Sequence, residues 1–363
     1  MNPSTETLER IKLYAARNER TLALSFFVAG FLFDIVTLGR IDSWLTIGQQ
    51  AAYLAVVTVV LMQMLLAEGQ PAPDLSAAPR MKRWYYEYRN PAIHFLLGAL
   101  LSAYTLFFFK SSSLLVSFGF MAVLVVLLFA NEAERFKKLG LRVKFALLGL
   151  CWLAFFAYVI PVLVGQTGLI VFLFSMAAGC VPLVAAAFFV LQEKRRKILV
   201  PLGCMVIVFL TFYLFRLIPP VPLSIPFMGV YHGVERTEQG YRLSHERPGW
   251  RIWHNGDQWF RAQPGDRVHV YFRVFSPSRF SDQVLMRWYL HEPAHGWVLQ
   301  DSIPIKIVGG REEGFRGYGF KSKYQPGEWK VQVETTDARE IGRIYFNLEN
   351  APEAARSFVS EMD

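Results

Sequence analysis

The sharpest chemical signal in this sequence is the run His291, Glu292, Pro293, Ala294, His295. Letter for letter it is the H-E-x-x-H pattern, in which two histidines bind zinc and the glutamate acts as general base. That chemistry needs a helix, because a helix places side chains four residues apart on one face. Here Pro293 sits inside the motif, and alternating strand-like residues flank it, LMRWYL before and WVLQ after. The pattern predicts a hairpin turn with solvated imidazoles. A metal-dependent hydrolase using His291 and His295 is therefore the weakest of three functional readings. The sequence has no G-x-S-x-G elbow, no Walker-type phosphate loop and no Cys/His cluster of the structural-zinc kind. No catalytic residue, metal or cofactor is assigned.

Two further groups carry chemistry. The first is polar residues within apolar runs, where ionisable groups are functional candidates by default. Asp34 lies late in the first run, Gln49 and Gln50 early in the second, and Arg216 at the end of the last. Depth alone lets Asp34, Gln49 or Gln50, and Arg216 gather. A structural Asp34–Arg216 pair is the simpler reading, and a transporter or membrane enzyme with its site there is the alternative. The second group is the series from Gly309 to Lys321, dense in glycine, arginine and aromatics. Glycines let a chain turn or approach a partner closely, and arginine forks suit carboxylate or phosphate. Arg311, Arg316, Tyr318 and Lys321 are the candidate ligand-binding residues for an anionic cell-wall or lipid fragment, against the simpler reading of a solvated basic hairpin.

The elements that must position these residues fall into two halves. Of 363 residues, 53% are hydrophobic, and the excess is concentrated in 21–218. Seven apolar runs, 21–38, 44–67, 91–109, 114–130, 145–164, 169–191 and 198–218, each approach the roughly 20 residues that a bilayer demands. Lys and Arg alternate between the connections: one set, with the N-terminal segment, holds 17 and the other holds 2. By the positive-inside rule the N-terminus is cytoplasmic. The soluble part then faces the periplasm of a bacterial inner membrane. Trp84, Tyr85, Tyr86 and Tyr88, among basic residues, read as an interfacial anchor. Residues 1–227 hold 20 Lys and Arg against 11 Asp and Glu, the whole net charge of +9; residues 228–363 balance at 18 against 18. A basic footprint on the soluble half is missing, so nucleic acid is not expected as a partner.

Pro219, Pro220, Pro222 and Pro226 exclude helix and predict a stiff extended joint. Beyond it the period changes to two. Val268 to Val274, Val284 to Leu290, Ile303 to Ile307, Trp329 to Val333 and Ile344 to Leu348 alternate apolar with polar residues, with turn signals such as QPGD and QPGE between. All three cysteines lie in apolar runs, so no disulfide staples this half, which must rest on a hydrophobic core. The expected fold is a membrane α-helical bundle of seven transmembrane helices followed by an all-β, immunoglobulin-like sandwich. Its parts are a cytoplasmic segment 1–20, the bundle 21–218, the joint 219–227, the periplasmic sandwich 228–350 and a tail 351–363, helical or disordered.

The run from Ile218 to Glu235 (IPPVPLSIPFMGVYHGVE) resembles bacterial multi-pass membrane proteins that end in domain of unknown function 2914, as do Arg287-Trp288-Tyr289, GGREEGFRGYGFKSK and PGEWKVQVETTDAREIGRIYFNL. The resemblance covers roughly 120 residues and implies a membrane protein carrying this module. It implies no reaction and no catalytic residues. The leading expectation is non-enzymatic: the sandwich binds an envelope ligand or protein partner, and the helices anchor it in the lipid bilayer. The sequence sets no oligomeric state.

Overall fold

Six of the seven apolar runs fall within the described residues, and each forms a helix. The computed structural model describes residues 39–71, 78–111, 114–132, 140–246, 255–277, 280–309, 314–353 and 355–363. The first run, with Asp34, lies outside them. The helices are α1 (Trp44–Ala67), α2 (Arg80–Lys110), α3 (Leu114–Glu132), α4 (Leu141–Val164), α5 (Leu169–Phe188) and α6 (Gln192–Leu214). Five of them are long and apolar enough to cross a membrane, which is compatible with a membrane protein. Helix α2 starts eleven residues before its apolar run, and Trp84 and Tyr88 stack on its exposed face, centroids 5.5 Å apart. Hydropathy marks where a helix becomes apolar, whereas hydrogen bonding decides where it begins.

The chain divides into two compact units. One comprises residues 1–106, 122–152 and 182–205; the other comprises 107–121, 153–181 and 206–363. The first is a helical unit stitched by polar contacts, buried at Asn131 and more open at Lys194. Asn131 Nδ2 donates to the His94 carbonyl (2.9 Å), and Lys144 Nζ donates to Asn90 Oδ1 (2.9 Å). Lys194 Nζ reaches the carbonyls of Leu65, Leu66 and Glu68 at 2.8–3.0 Å. A helix leaves its last carbonyls unsatisfied, so this lysine caps the end of α1.

The second unit holds eleven strands: β1 (Ser224–Tyr231), β2 (Gly233–Thr237), β3 (Gly240–His245), β4 (Trp259–Ala262), β5 (Val268–Phe275), β6 (Ser281–Glu292), β7 (Gly296–Val308), β8 (Phe315–Lys321), β9 (Gly327–Thr335), β10 (Glu340–Asn350) and β11 (Val359–Met362). Two sheets, β1-β5-β8 and β4-β10-β9-β6-β7, enclose one apolar core. A small third sheet, β11-β3-β2, lies apart in order. All neighbours are antiparallel except β4 and β10. The five strands with strict alternation point one phase inward: Val270, Phe272, Val284, Met286, Trp288, Trp329, Val331, Ile344 and Phe346 are buried together. Trp288, Trp329 and Phe346 meet with centroids 6.3–6.5 Å apart, so aromatic bulk fills the space.

Two expectations change. The expected stiff extended joint, 219–227, is a buried turn that runs into a strand: Ile218, Pro219, Pro220, Val221 and Leu223 are buried, and Ser224 already begins β1. The tail is neither helical nor without structure, because β11 pairs with β3. Strand β3 pairs with β2 on one side, and the tail satisfies the backbone groups of its other side, with Tyr241 and Asp363 exchanging both N–H to carbonyl bonds at 2.9 and 3.0 Å.

Candidate functional site

The histidine motif lies in the β6–β7 hairpin, with Pro293, Ala294 and His295 in the turn. Its imidazoles engage different carboxylates: His295 Nδ1 lies 3.3 Å from Glu292, and His291 Nδ1 lies 3.9 Å from Glu328. Among the described residues no group of three or more His, Cys, Asp or Glu side chains is arranged to hold a metal.

The glycine–arginine series becomes β8, and its pleat divides the predicted site. Arg316 and Tyr318 share one face, and Lys321 takes the opposite phase; Arg311 lies outside the described residues. Gly317 and Gly319 occupy the inward phase, where a Cβ would meet Phe272 at 2.9 Å and the Met286 sulfur at 2.7 Å. The glycines thus serve the close approach of β8 to the core. Lys321 Nζ pairs with Asp301 (3.3 Å) and lies 5.8 Å from the Trp329 ring centroid. Arg316 faces the Asp363 carboxylate at 3.5 Å, together with Arg273 at 3.4 Å, and the Tyr271 hydroxyl donates to the same carboxylate. Burial, and then that carboxylate, push the Tyr271 hydroxyl pKa up. An anion does sit on Arg316, and it comes from this chain.

Of the polar group within the apolar runs, Gln49 Nε2 donates to Tyr53 Oη (2.8 Å) one turn along α1, and Gln50 is buried. Arg216 has φ +59° and follows α6. The Leu217 N–H bonds the Phe212 carbonyl at 2.8 Å and the Arg216 N–H bonds the Tyr213 carbonyl at 2.9 Å. This is a Schellman cap, with Arg216 in the left-handed position that glycine usually fills. Its guanidinium field acts on Glu334 and Arg339.

The feature that residue-by-residue reading missed is a seat within the second unit. Hairpin loop 335–339 is self-braced: Thr335 N donates to the Arg339 carbonyl and Arg339 N to Thr335 Oγ1, at 2.9 and 3.1 Å. It presents Arg339, 6% exposed at its side chain, to the end of α6. The guanidinium lies 3.2 Å from the Tyr213 ring centroid, pairs with Asp337 at 2.9 Å and donates to the Ile218 carbonyl at 3.3 Å. Tyr213 Oη donates to Asp337 (3.0 Å), and its ring stacks on Phe172 at 3.8 Å. Burial pulls the Arg339 pKa down while Tyr213 and Asp337 oppose it. A second strut joins loop and sandwich: Thr167 N and Oγ1 donate to Asp282 at 3.1 and 2.8 Å, and Ser281 N donates to the Gly165 carbonyl at 3.0 Å.

The outer face of the five-stranded sheet carries a second missed feature. Register places Trp259 opposite Asn347, Asn347 opposite Glu328, and His291 opposite Trp297, while the His291–Glu328 contact links β6 to β9. One cross-strand row therefore reads Trp259, Asn347, Glu328, His291, Trp297. Tyr345 stands beside it, its ring 5.6 Å from Trp297. Trp259 is 59% exposed and Tyr345 40% exposed. Trp259, Trp297, Glu328, Tyr345, Asn347 and Gln258 line an open groove of about 460 Å³, with Trp329 and Phe346 of the core, a volume in the range of small-ligand sites.

A family model described as "Protein of unknown function (DUF2914)" matches residues 281–348, the span from β6 into β10. The chain thus carries a C-terminal domain of unknown function, and most of the aromatic row lies in it. No curated protein matches the chain. Among solved structures, an immunoglobulin-like protein from Pseudomonas aeruginosa is 12% identical, over 36% of this chain and 98% of that one, with a TM-score of 0.23. A β-glucosidase from Listeria innocua in complex with glucose is 13% identical, over 25% of this chain and 15% of that one, at 0.19. An alkylpurine DNA glycosylase from Pseudomonas fluorescens, bound to DNA containing an abasic site analogue, is 10% identical, over 86% and 99%, at 0.24. Likeness at this level leaves the fold to be read from the sheets themselves, and it says nothing about a ligand.

Proposed function

We propose that this chain is an integral protein of a bacterial inner membrane whose helices hold the sandwich in the periplasm as a non-enzymatic binding module for an envelope ligand or protein partner. The observation that carries the reading is the groove around Trp259, Trp297 and Tyr345. Trp259 and Tyr345 are exposed and Trp297 is half-buried beside them; large aromatics exposed together are costly to leave in water and mark interaction surfaces. The seat supports presentation, since Arg339, Tyr213 and Asp337 tie loop 335–339 to the end of α6. The charge alternation along the helix connections supports the orientation.

Two measurements test it in living cells. Single cysteines at Ser302 in β7 and at Arg196 in α6, in a background without the native cysteines, are challenged with an impermeant maleimide. Labelling at 302 and protection at 196 is expected; the reverse pattern, or equal labelling, overturns the orientation. A photocrosslinker at Tyr345, compared with one at Tyr318 on the other sheet, should capture envelope material from Tyr345. Capture from neither position removes the binding role.

A further inference from the structure

We propose that the groove on the outer face of the five-stranded sheet binds an oligosaccharide, a run of neutral pyranose rings. This deepens the reading of the sandwich as a binding module and rests on it. A pyranose presents axial C–H groups on one face and hydroxyls at its rim. It is recognised by exposed aromatic faces flanked by fixed groups that both donate and accept hydrogen bonds. Trp259, Trp297 and Tyr345 supply the faces. Asn347 supplies an amide whose Nδ2 is oriented by Glu349 at 3.1 Å and whose oxygen is an acceptor, and Glu328 supplies a further acceptor.

Charge narrows the occupant. Lys330 Nζ lies 5.1 Å from the Trp297 centroid and 4.3 Å from that of Tyr289, and Arg343 lies 6.0 Å from that of Tyr345. Lys330 and Arg343 thus lie beside Trp297 and Tyr345, so a cationic ligand would meet like charge at these rings. Glu328 in the groove and Glu349, which accepts from Asn347 at 3.1 Å, oppose a polyanion. A neutral polyol meets neither penalty. The backbones of Trp259 on β4 and Trp297 on β7 end a row of five strands, four steps of about 4.8 Å or roughly 19 Å apart, and the Trp297 ring leans back to 5.6 Å from Tyr345 on β10, so the aromatic faces form one continuous platform across the sheet.

The test uses the full chain in a polyoxyethylene detergent, which lacks the sugar headgroups of glycoside detergents. The probes are the β-1,4 tetramers of N-acetylglucosamine and of glucose, the two monomers, and tetramethylammonium chloride, followed by tryptophan fluorescence and calorimetry. At least one tetramer should bind more tightly than its monomer. Trp259→Ala and Tyr345→Ala should each weaken it about tenfold or more, and Tyr345→Phe should retain binding. Both positions are exposed, and matching circular dichroism and unfolding curves confirm that the variants fold. Absence of saturation by either tetramer overturns the proposal, as does binding unchanged in both alanine variants. Saturation by tetramethylammonium alone makes this a cation site instead. If the tetramers fail while the crosslinker at Tyr345 captures a protein, the binding module stands and its glycan reading falls; if both fail, both readings fall.

Discussion

Arg339 and Tyr213 are expected to be energetically coupled, and the coupling is measurable. The guanidinium sits 3.2 Å from the ring centroid, and both side chains share Asp337. A desolvated cation–π contact is worth ~2 kcal/mol. Arg339→Met removes that contact, the ion pair and the bond to the Ile218 carbonyl, for about 3 kcal/mol, the low end for breaking a buried pair because Asp337 keeps a partner in Thr335. Tyr213→Leu loses the ring face, the stack on Phe172 and the hydroxyl bond, for about 2 to 3 kcal/mol. If the two act through one contact, the double variant falls short of the sum by about 2 kcal/mol.

A global melting curve is the wrong assay for a chain of two compact units, where two-state behaviour is not assured. Local hydrogen exchange reports the opening directly. The Val221 and Leu223 amides, bonded to the Pro219 and Pro220 carbonyls at 2.8 and 3.0 Å, lie beside the seat, and the intervening prolines contribute no amide. Arg339→Met should speed their exchange about a hundredfold, at 1.4 kcal/mol per decade. Strictly additive single and double variants, or exchange unaltered by Arg339→Met, would refute the seat as a coupled unit.

Three further outcomes are expected. The His232 side chain is buried, stacks on Phe260 at 3.9 Å, and lies 3.6–3.9 Å from Asp257, Asp266 and Glu246, with Arg356, His245 and His269 also acting on it. Burial first, and then Arg356, press its pKa down to about 4 from 6.5, so the folded state holds this proton less well than the unfolded chain. Its contribution is therefore complete above pH 6.5 and is lost as pH falls towards 4, by up to about 3 kcal/mol; exchange of the β1 amides against pH should show this slope in the native chain and a flatter one in His232→Gln. Gly256→Ala should destabilise the sandwich by about 3 kcal/mol or more, because φ is +70° and a Cβ would stand 1.9 Å from the Val230 carbonyl oxygen; denaturant titration of tryptophan emission checks it. Arg216→Gly should slow exchange at the end of α6, a gain of about 0.5–1 kcal/mol from relieving a left-handed arginine; faster exchange would mean that its side chain matters more than its backbone.

What was legible in the sequence was local. Helix α1 has the bounds of its apolar run, because composition changes sharply at both ends, at Ser43 and Glu68. The five alternating strands were legible because their apolar residues keep one phase, even where β5 and β9 also bury Tyr271 and Glu334 of the other phase. Strands β2, β3 and β11 bury little, so their period is weak, and β11 exists because β3 needs a partner. The groove was illegible for a different reason. Trp259, Trp297 and Tyr345 lie far apart in the chain, and only strand register gathers them. A trace was present in the phase: Tyr345 stands between Ile344 and Phe346, in the solvent-facing position of an otherwise regular strand, where an aromatic has no packing reason to be. Arg339 left no such trace, since a charged residue in a loop ordinarily means solvent.

The groove and the seat are two ends of one structure. Strands β9 and β10 supply Glu328, Tyr345 and Asn347 to the groove, and the loop that joins them supplies Asp337 and Arg339 to the seat. Between these ends the two strands pair from Leu348–Gly327 to Glu340–Glu334, with one irregularity next to the loop. Their inward phase, Trp329, Val331, Val333, Ile344 and Phe346, is locked in the core. A close-packed ribbon of this kind transmits displacement and has little freedom to absorb it. A ligand moves such an element only if a second arrangement exists that it binds better, and both ends of this hairpin are held by buried contacts in the one arrangement seen. The geometry therefore favours an anchor: the hairpin sets the groove at a defined position relative to the end of α6, and on the proposed reading a ligand bound there would be localised without a change of conformation.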